Sequence, residues 1–368
     1  MNHLPVKTRD FDRNSRAMKR MKYSIRSNVF LGVWLAVIAP VFGRGNLDIY
    51  WIDTEGGAAT LIVTPEGESV LVDTGNPGFR DADRIVKLAT RDAGLKRIDH
   101  LIITHYHKDH FGGASTLATL MPVGKVYDNG IFEGMPDRPD KSYFDFACEQ
   151  RSVIEPGTSI ELAKLSSGIP LQLLCLGARQ KFIKPEAINA KENQAIAKRH
   201  SPKDRDGSDN ANSVVLLLTF GDFRFFDGGD LTWNQEYHLV YPYNLIGTVD
   251  VYQVTHHGLD VSNNPVVLQS IQPKVAIMNN GHTKGCMPDV FANLRETKSL
   301  EAIYQVHKNL RPDGTVNNVS DEFIANFQAA DQCQGHYIKL SVAQDSKRYT
   351  VEIPSNQHSK TYSSSSGR

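Results

Sequence analysis

Short apolar runs separated by turn residues dominate the chain from residue 47 onward. Runs of β-branched and aliphatic residues bounded by glycine, proline or asparagine predict β-strands. Such runs occupy 47–52, 59–63, 69–72, 98–104, 213–220, 223–226, 249–254, 273–278, 337–342 and 349–353. Residues 81–95 instead place apolar side chains at helical spacing. Strands followed by interleaved helices recur in both halves of the chain, which predicts an α/β (α+β) fold of two sheets packed face to face with helices outside.

The N-terminal segment has a different pattern. Residues 1–43 carry eight basic side chains, all of them before an apolar run at 29–42. This order is typical of a secretory signal peptide, and the run is shorter than the roughly 20 residues that span a bilayer. We therefore expect a secreted or periplasmic chain without stable membrane insertion; a leader that is not cleaved would instead act as a membrane anchor. Met18 and Met21 are alternative translation starts.

The rest of the chain predicts one domain with two irregular parts. We expect the domain at 44–354, with an insertion or long active-site loop at about 130–212, where the hydrophobic periodicity is weak. The serine-rich end at 355–368 predicts a polar disordered tail.

The charge balance and the cysteine spacing exclude some kinds of partner and of metal site. The chain has 41 Lys+Arg and 41 Asp+Glu, but the leader is basic, so 33 basic and 39 acidic residues remain after residue 43. A global attraction to polyanions is excluded, and any such partner needs a local basic patch. The four cysteines can form disulfides or stay as buried free thiols; none lies in a C-x-x-C pair, so we do not expect a cysteine metal site.

Potential metal ligands cluster where predicted strands end. Asp73 follows the strand at 69–72, the string His105-Tyr106-His107-Lys108-Asp109-His110 follows 98–104, and Asp230 and His256-His257 follow later strands. His105 and His107 project to the same side of an extended segment and can share one ion, while Asp109 and His110 can bind a second. Imidazoles with a bridging carboxylate predict a hydrolytic metal site.

These motifs resemble the metallo-β-lactamase superfamily, whose signature is H-x-H-x-D-H after a strand. The spacing is most similar to the branch with the ComEC/Rec2 metallo-hydrolase domain and the secreted phosphorylcholine esterase, through Gly56-Gly57, Asn210-Ala211-Asn212-Ser213 and His256-His257-Gly258. The resemblance implies a four-layer αββα sandwich. It also implies two divalent metal ions, with zinc as the default and manganese or iron as alternatives.

Roles follow from the resemblance position by position. It implies that His105 and His107 bind the first ion, that Asp109 and His110 bind the second, and that Asp230 bridges them. His256 is the preferred late ligand and His257 the close alternative. Asp73 would orient the histidines. Asn210 lies near the position where most members of the superfamily have a third histidine, so one metal site lacks a ligand unless His282 or water completes it.

The implied activity is hydrolysis by a metal-bridged hydroxide. A phosphodiester is the favoured substrate, in nucleic acid, in a cell-wall polymer or in a small molecule. The alternatives are a lactam or lactone hydrolase and a non-catalytic metal-binding protein on the same fold. His282 or a water held by Asp109 would donate the proton to the leaving group. His100, His238, His307 and His336 are interpreted as ordinary structural histidines. The oligomeric state stays open.

Overall fold

Two nine-stranded sheets contain most of the strands in the computed structural model, which describes residues 45–194 and 200–365. The predicted leader lies outside the described residues. The first sheet has the order β20-β19-β18-β1-β2-β3-β4-β5-β6. Its strands are β1 (Leu47–Trp51), β2 (Thr60–Val63), β3 (Ser69–Val72), β4 (Ile98–Ile102), β5 (Val123–Asp128), β6 (Gln150–Val153), β18 (Ile338–Val342), β19 (Arg348–Ile353) and β20 (His358–Ser363).

The second sheet has the order β17-β16-β15-β14-β12-β11-β8-β7, with β9 paired to β8. Its strands are β7 (Ser159–Ile160), β8 (Leu171–Ala178), β9 (Lys181–Phe182), β11 (Val215–Phe220), β12 (Phe223–Asp227), β14 (Val251–Gln253), β15 (Val275–Met278), β16 (Ala302–His307) and β17 (Ile324–Asn326). A separate small pair joins β10 (Lys191–Glu192) to β13 (Tyr243–Asn244).

Helices cover the outer faces of both sheets. Those on the first sheet are α1 (Phe79–Lys87), α2 (Lys108–Phe111), α3 (Ala114–Leu120) and α4 (Lys141–Asp145), and those on the second are α5 (Trp233–His238), α6 (Pro265–Ile271) and α7 (Pro288–Glu296). Helix α6 begins where its sequence predicts: the Asn264 side chain accepts from Val266 N, and Pro265 occupies the first turn.

Alternating side chains divide the apolar residues among three layers. In β1, Ile49 and Trp51 enter the core between the sheets, whereas Tyr50 joins the core beneath α1 and α3. A third core lies between the second sheet and its helices, and includes Val267 and Phe291. The order helix, sheet, sheet, helix confirms the expected αββα sandwich.

Two expectations about the irregular parts were wrong. Residues 355–368 are not simply a disordered tail, because β20 pairs antiparallel with β19 along its whole length. In β20 only Tyr362 is buried, so a single apolar residue among serines gave no recognisable strand pattern. The segment at 130–212 is not only a loop: β6 extends the first sheet, and β7 and β8 extend the second. Strand β6 lies at a sheet edge and is partly exposed, so its sequence lacks the apolar run that marks a buried strand.

Both sheets have a parallel half, and this arrangement creates the site. Strands β3 to β6 run parallel, as do β12, β14, β15, β16 and β17. The carboxyl ends of parallel strands meet at one edge of a sheet, where the loops that follow them can converge. No helix within the described ranges is long and apolar enough to cross a membrane.

We predict that Tyr362→Ala destabilises the protein by about 3 to 5 kcal/mol, because it removes a buried aromatic side chain. Tyr362 is 3% exposed and its hydroxyl lies 2.8 Å from that of Tyr304. Urea unfolding measures the change. Ser359→Ala, on the exposed face of the same strand, is the matched control and should change stability by about 0.5 kcal/mol or less. Equal midpoints for the two variants would contradict the docking of β20.

Candidate metal centre

The candidate centre is assembled from the ends of four parallel strands. Asp73 follows β3, and His105 to His110 follow β4 in the first sheet. Asp230 follows β12, and His256 and His257 follow β14 in the second sheet. A backbone bond from Val214 N to Thr104 O, 2.8 Å long, joins the two sheets beside these residues. The strand ends are therefore fixed relative to each other before any side chain contributes.

Three site residues have left-handed backbone conformations. Their φ angles are +62° for Asp73, +55° for His256 and +56° for His257. Residues other than glycine seldom adopt such angles, which cost about 1 to 3 kcal/mol each and persist where the surrounding structure imposes them. Here the backbone of His256 donates to Gly229 O at 3.0 Å. Consecutive left-handed residues allow both His256 and His257 to turn toward Asp230.

His110 lies at the middle of the centre and is fully buried. Its Nδ1 lies 2.7 Å from Asp73 Oδ2, and its Nε2 lies 3.1 Å from Asp230 Oδ2 and 3.7 Å from Asp109 Oδ2. The carboxylate of Asp73 only accepts, so Nδ1 donates to it and Nε2 is directed at the other two carboxylates. This is the arrangement in which a carboxylate orients a metal-binding histidine.

His257 presents the same atom to the same point. Its Nδ1 lies 3.2 Å from Asn279 O, which only accepts, so Nδ1 carries the proton and Nε2 the lone pair. That Nε2 lies 3.2 Å from both Asp230 Oδ2 and His110 Nε2, and 3.6 Å from Asp109 Oδ2. Two imidazole Nε2 atoms and two carboxylates thus converge, and once His110 gives up its Nε2 proton they form a donor set suited to one divalent cation.

A second group of donors lies on the other side of Asp230. His105 is fully buried, its Nε2 lies 4.0 Å from Asp230 Oδ2, and that Nε2 has no hydrogen-bond partner. The His107 ring lies 4.7 Å from the His105 ring, but its Nε2 also approaches Asp137 Oδ2 at 3.3 Å. His256 Nε2 lies 3.5 Å from Asp230 Oδ2. Asp230 is therefore positioned to bridge two ions.

Asn210 borders this second group. Its Nδ2 lies 3.3 Å from His256 Nε2, and its Oδ1 is buried without a partner. A buried polar atom without a partner is uncommon and indicates a missing ligand or water. Together with His105 Nε2, this amide oxygen shows that the residues fit divalent cations on both sides of Asp230.

The electrostatics of the centre reflect crowded carboxylates. Burial alone would lower the pKa of His110, but Asp230, Asp73 and Asp109 raise it well above the usual histidine range. Burial would raise the pKa of Asp230, yet His110, His257 and His256 hold it well below normal. Burial lowers the pKa of His256 to about 4, so this imidazole is neutral at physiological pH and free to bind metal. A proton on His110 supplies positive charge that a bound cation would otherwise provide.

Not every predicted site residue lies in the centre. His282 Nδ1 lies 3.4 Å from Glu55 Oε2, and its ring is tilted against that of His307 with 5.7 Å between the centroids, so the structure does not bring it to Asp230. Conversely, Lys284 does lie at the centre, where its ammonium forms an ion pair with Asp109. Asp209 accepts from Tyr106 N and was not predicted at all. No local motif marks Asp209 or Asp137, because both reach the histidine string through folding.

Residues 52–166 match the family profile described as the metallo-beta-lactamase superfamily. The chain thus carries a metallo-β-lactamase-type segment at residues 52–166. The matched segment includes Asp73 and the whole string from His105 to His110, and the second sheet supplies the remaining donors of the centre.

Curated relatives confirm the resemblance to ComEC/Rec2 proteins. Competence protein ComA of Neisseria gonorrhoeae is 25% identical over 62% of this chain and 26% of its own length. ComE operon protein 3 of Bacillus subtilis (strain 168) is 29% identical over 68% of this chain and 30% of its own length. Recombination protein 2 of Haemophilus influenzae is 26% identical over 62% of this chain and 24% of its own length. The chain thus spans between 24% and 30% of the length of these relatives.

Two of the solved structures that are similar to this chain have low sequence identity to it. A diphosphatase of the PhnP family is 13% identical, with a TM-score of 0.37 over 81% of this chain and 98% of that protein. The E377D mutant of the CmlA beta-hydroxylase is 15% identical, with a TM-score of 0.43 over 71% of this chain and 52% of that protein.

We predict that Asp73→Asn weakens Zn²⁺ binding by roughly 10- to 100-fold, because the orienting carboxylate of His110 is lost. Competition with a chromogenic chelator measures the affinity. Asp83→Asn is the matched control, since Asp83 pairs only with Lys87 on helix α1 and should leave the affinity unchanged. An affinity that is the same in Asp73→Asn and wild type would show that His110 does not bind the ion.

Proposed function

We propose that this chain is an exported metal-dependent hydrolase that cleaves phosphodiesters. The observation that carries the proposal is the convergence of Asp109, Asp230 and the Nε2 atoms of His110 and His257, in which each carboxylate lies within 3.7 Å of both nitrogens. When bound, divalent ions supply Lewis acidity for the ester and lower the pKa of a water. Export rests on the basic and apolar pattern of residues 1–43, which lie outside the described residues.

Residues of the centre can orient the attacking water and contact the anionic substrate. Burial would raise the pKa of Asp109, but His110, His257 and Lys284 lower it, so the carboxylate stays ionised. It can therefore accept a hydrogen bond from an attacking water and orient it. The ammonium of Lys284, paired with Asp109, is a point charge that an anionic substrate meets when it reaches this carboxylate. His282 faces Glu55 and is given no role in the reaction.

A basic cavity beside the centre favours a phosphate-containing substrate. The cavity has a volume of about 360 Å³, and its lining includes the basic residues Arg179, Lys181 and Arg205 and the acidic residues Glu133 and Asp206, so the lining has one net positive charge. Its wall includes Pro136, and the next residue, Asp137, contacts His107 of the centre. Lys181 and Arg205 are both exposed, so their charges are available to a ligand. This is the local basic patch that an acidic chain needs to hold a polyanion.

Two relatives have names that refer to competence and recombination, which are processes of DNA. Together with the basic cavity, these names support nucleic acid as one form of the diester. A cell-wall polymer ester offers the same phosphate chemistry and remains the second form. Nucleic acid and a cell-wall polymer both present a diester to the same carboxylates. An activity assay with each substrate is therefore needed to distinguish them.

We expect the zinc- or manganese-loaded chain to hydrolyse bis-p-nitrophenyl phosphate faster than p-nitrophenyl phosphorylcholine and a chromogenic β-lactam. Asp109→Ala should lower kcat by roughly 10²- to 10⁴-fold, because it removes the carboxylate that accepts from the attacking water and orients it. Asp145→Ala, on an exposed helix, is the matched control and should keep full activity. Lactam turnover without diester turnover would overturn the proposal, and turnover of neither would favour a binding protein.

The same assay distinguishes polymer from small diester. Arg205→Glu should raise KM for a single-stranded oligonucleotide and leave KM for bis-p-nitrophenyl phosphate unchanged, because a small substrate does not reach the cavity. Identical kinetic constants for the oligonucleotide in wild type and variant would exclude the cavity as a polymer-binding surface.

A further inference from the structure

A second cluster of potential metal ligands lies apart from the donors of the centre. It consists of Asp53, Glu55, His307 and Cys333, whose ligand atoms all lie within 4.8 Å of one another. We call these four residues the inter-sheet cluster. Asp53 and Glu55 follow β1 of the first sheet, His307 ends β16 of the second sheet, and Cys333 lies in the segment between β17 and β18. Asp53 and His307 are completely buried.

His307 is the observation that points to a ligand. Neither of its ring nitrogens has a hydrogen-bond partner, although Nε2 lies 3.3 Å from Glu55 Oε2 and 3.8 Å from Asp53 Oδ2. Glu55 Oε2 is also buried without a hydrogen bond, although His282 Nδ1 lies 3.4 Å from it. Buried polar groups without partners are costly, so the cluster is incomplete as it stands.

The other two members already face the same point. Cys333 Sγ donates to Asp53 Oδ2 at 3.0 Å, and Arg84 donates to the same oxygen at 3.1 Å. Arg84 also donates to Glu55 Oε1 and to Cys333 O, so its guanidinium fixes three of the four residues. If the Cys333 thiol gave up its proton, the thiolate and the two carboxylates would carry three negative charges. One guanidinium and one divalent cation would neutralise them.

We propose that the inter-sheet cluster is a closed four-ligand site for a divalent metal ion, with zinc the cation that its ligands favour. Thiolate, imidazole and carboxylate are all zinc ligands, and a shell of four protein ligands is typical of structural sites. On binding, the Cys333 sulfur exchanges its proton for the metal, and the proton leaves to solvent. Bonds of about 2.0 to 2.3 Å bring tetrahedral ligands within about 3.8 Å of one another, so the cluster contracts by about 1 Å.

The ion would fasten the loop that supports Asp109. Between the two clusters, Ala58 N donates to Asp109 O at 3.0 Å. Gly57 has to be glycine here, because a Cβ would lie 2.4 Å from Asp109 O. Asp53 and Glu55, at the start of this loop, would be linked through the metal to His307 of the other sheet. An ion in the inter-sheet cluster would therefore hold the two sheets together on the side where the metal centre is built.

Cobalt provides a test that the centre cannot imitate. The donors of the centre are histidine and aspartate, whereas the inter-sheet cluster contains a cysteine. We expect the chelator-stripped, reduced chain to develop a thiolate-to-cobalt charge-transfer band in the near ultraviolet when Co²⁺ is added. Cys333→Ser should abolish this band and lower the bound metal by about one equivalent. Absence of the band in wild type, or its persistence in Cys333→Ser, would overturn the proposal.

A control and a second variant protect the result from misfolding. Cys148→Ser replaces a cysteine of similar partial exposure and should retain both the band and the bound metal. His307→Gln should lose about one equivalent of metal while Cys333 is still present. Unchanged metal content in His307→Gln, in a chain with wild-type circular dichroism, would contradict the four-ligand site.

This inference fails or succeeds separately from the hydrolase proposal. His110→Ala should reduce metal binding at the centre and leave the thiolate-to-cobalt band intact, because His110 has no contact with the inter-sheet cluster. Loss of the band in His110→Ala would mean that the thiolate signal comes from the centre, which overturns the second site. If the metal-loaded wild-type chain shows the band but does not hydrolyse diesters, the inter-sheet site is supported and the hydrolase proposal is refuted.

Discussion

The contact between His110 and three carboxylates is the interaction on which the rest of the structure depends. Asp73, Asp109 and Asp230 all lie within 3.7 Å of this one buried ring. Several negative charges in a protein interior are tolerated only when cations or donors compensate them. A proton on His110 provides part of that compensation, and metal ions provide more. The fold must therefore bring the ends of four strands together to create a cation site in its interior.

The two sheets meet this requirement by directing the carboxyl ends of their parallel strands to the same site. The chain starts the first sheet at β1 and returns to it at β18, which pairs with β1, after it has formed the second sheet. Trp51 shows the coupling directly: it belongs to β1, and its Nε1 donates to Gln253 of β14 at 2.7 Å. The metal centre and the proposed inter-sheet cluster lie at the ends of these same strands. Packing of the sheets and cation binding therefore support each other.

The sequence alone is sufficient for the local parts of this account. The string from His105 to His110 is continuous, and Asp73 and Asp230 are each marked by the apolar strand before them, so their convergence could be predicted from topology. Interactions that depend on distant segments could not be predicted. Asp53 and Cys333 are 280 residues apart, and neither belongs to a recognisable ligand motif. His307 was interpreted as an ordinary buried histidine because only folding reveals that its ring lacks partners. Strand β20 was missed because one tyrosine carries its whole buried face.

Anomalous diffraction at the zinc absorption edge, from crystals of the zinc-loaded chain, tests the central claim most directly. The account predicts strong anomalous density in the space enclosed by Asp109, His110, Asp230 and His257, within bonding distance of the two Nε2 atoms. It would be contradicted by crystals of fully loaded protein in which that space shows no anomalous density and the Nε2 atoms of His110 and His257 bond only to protein or water.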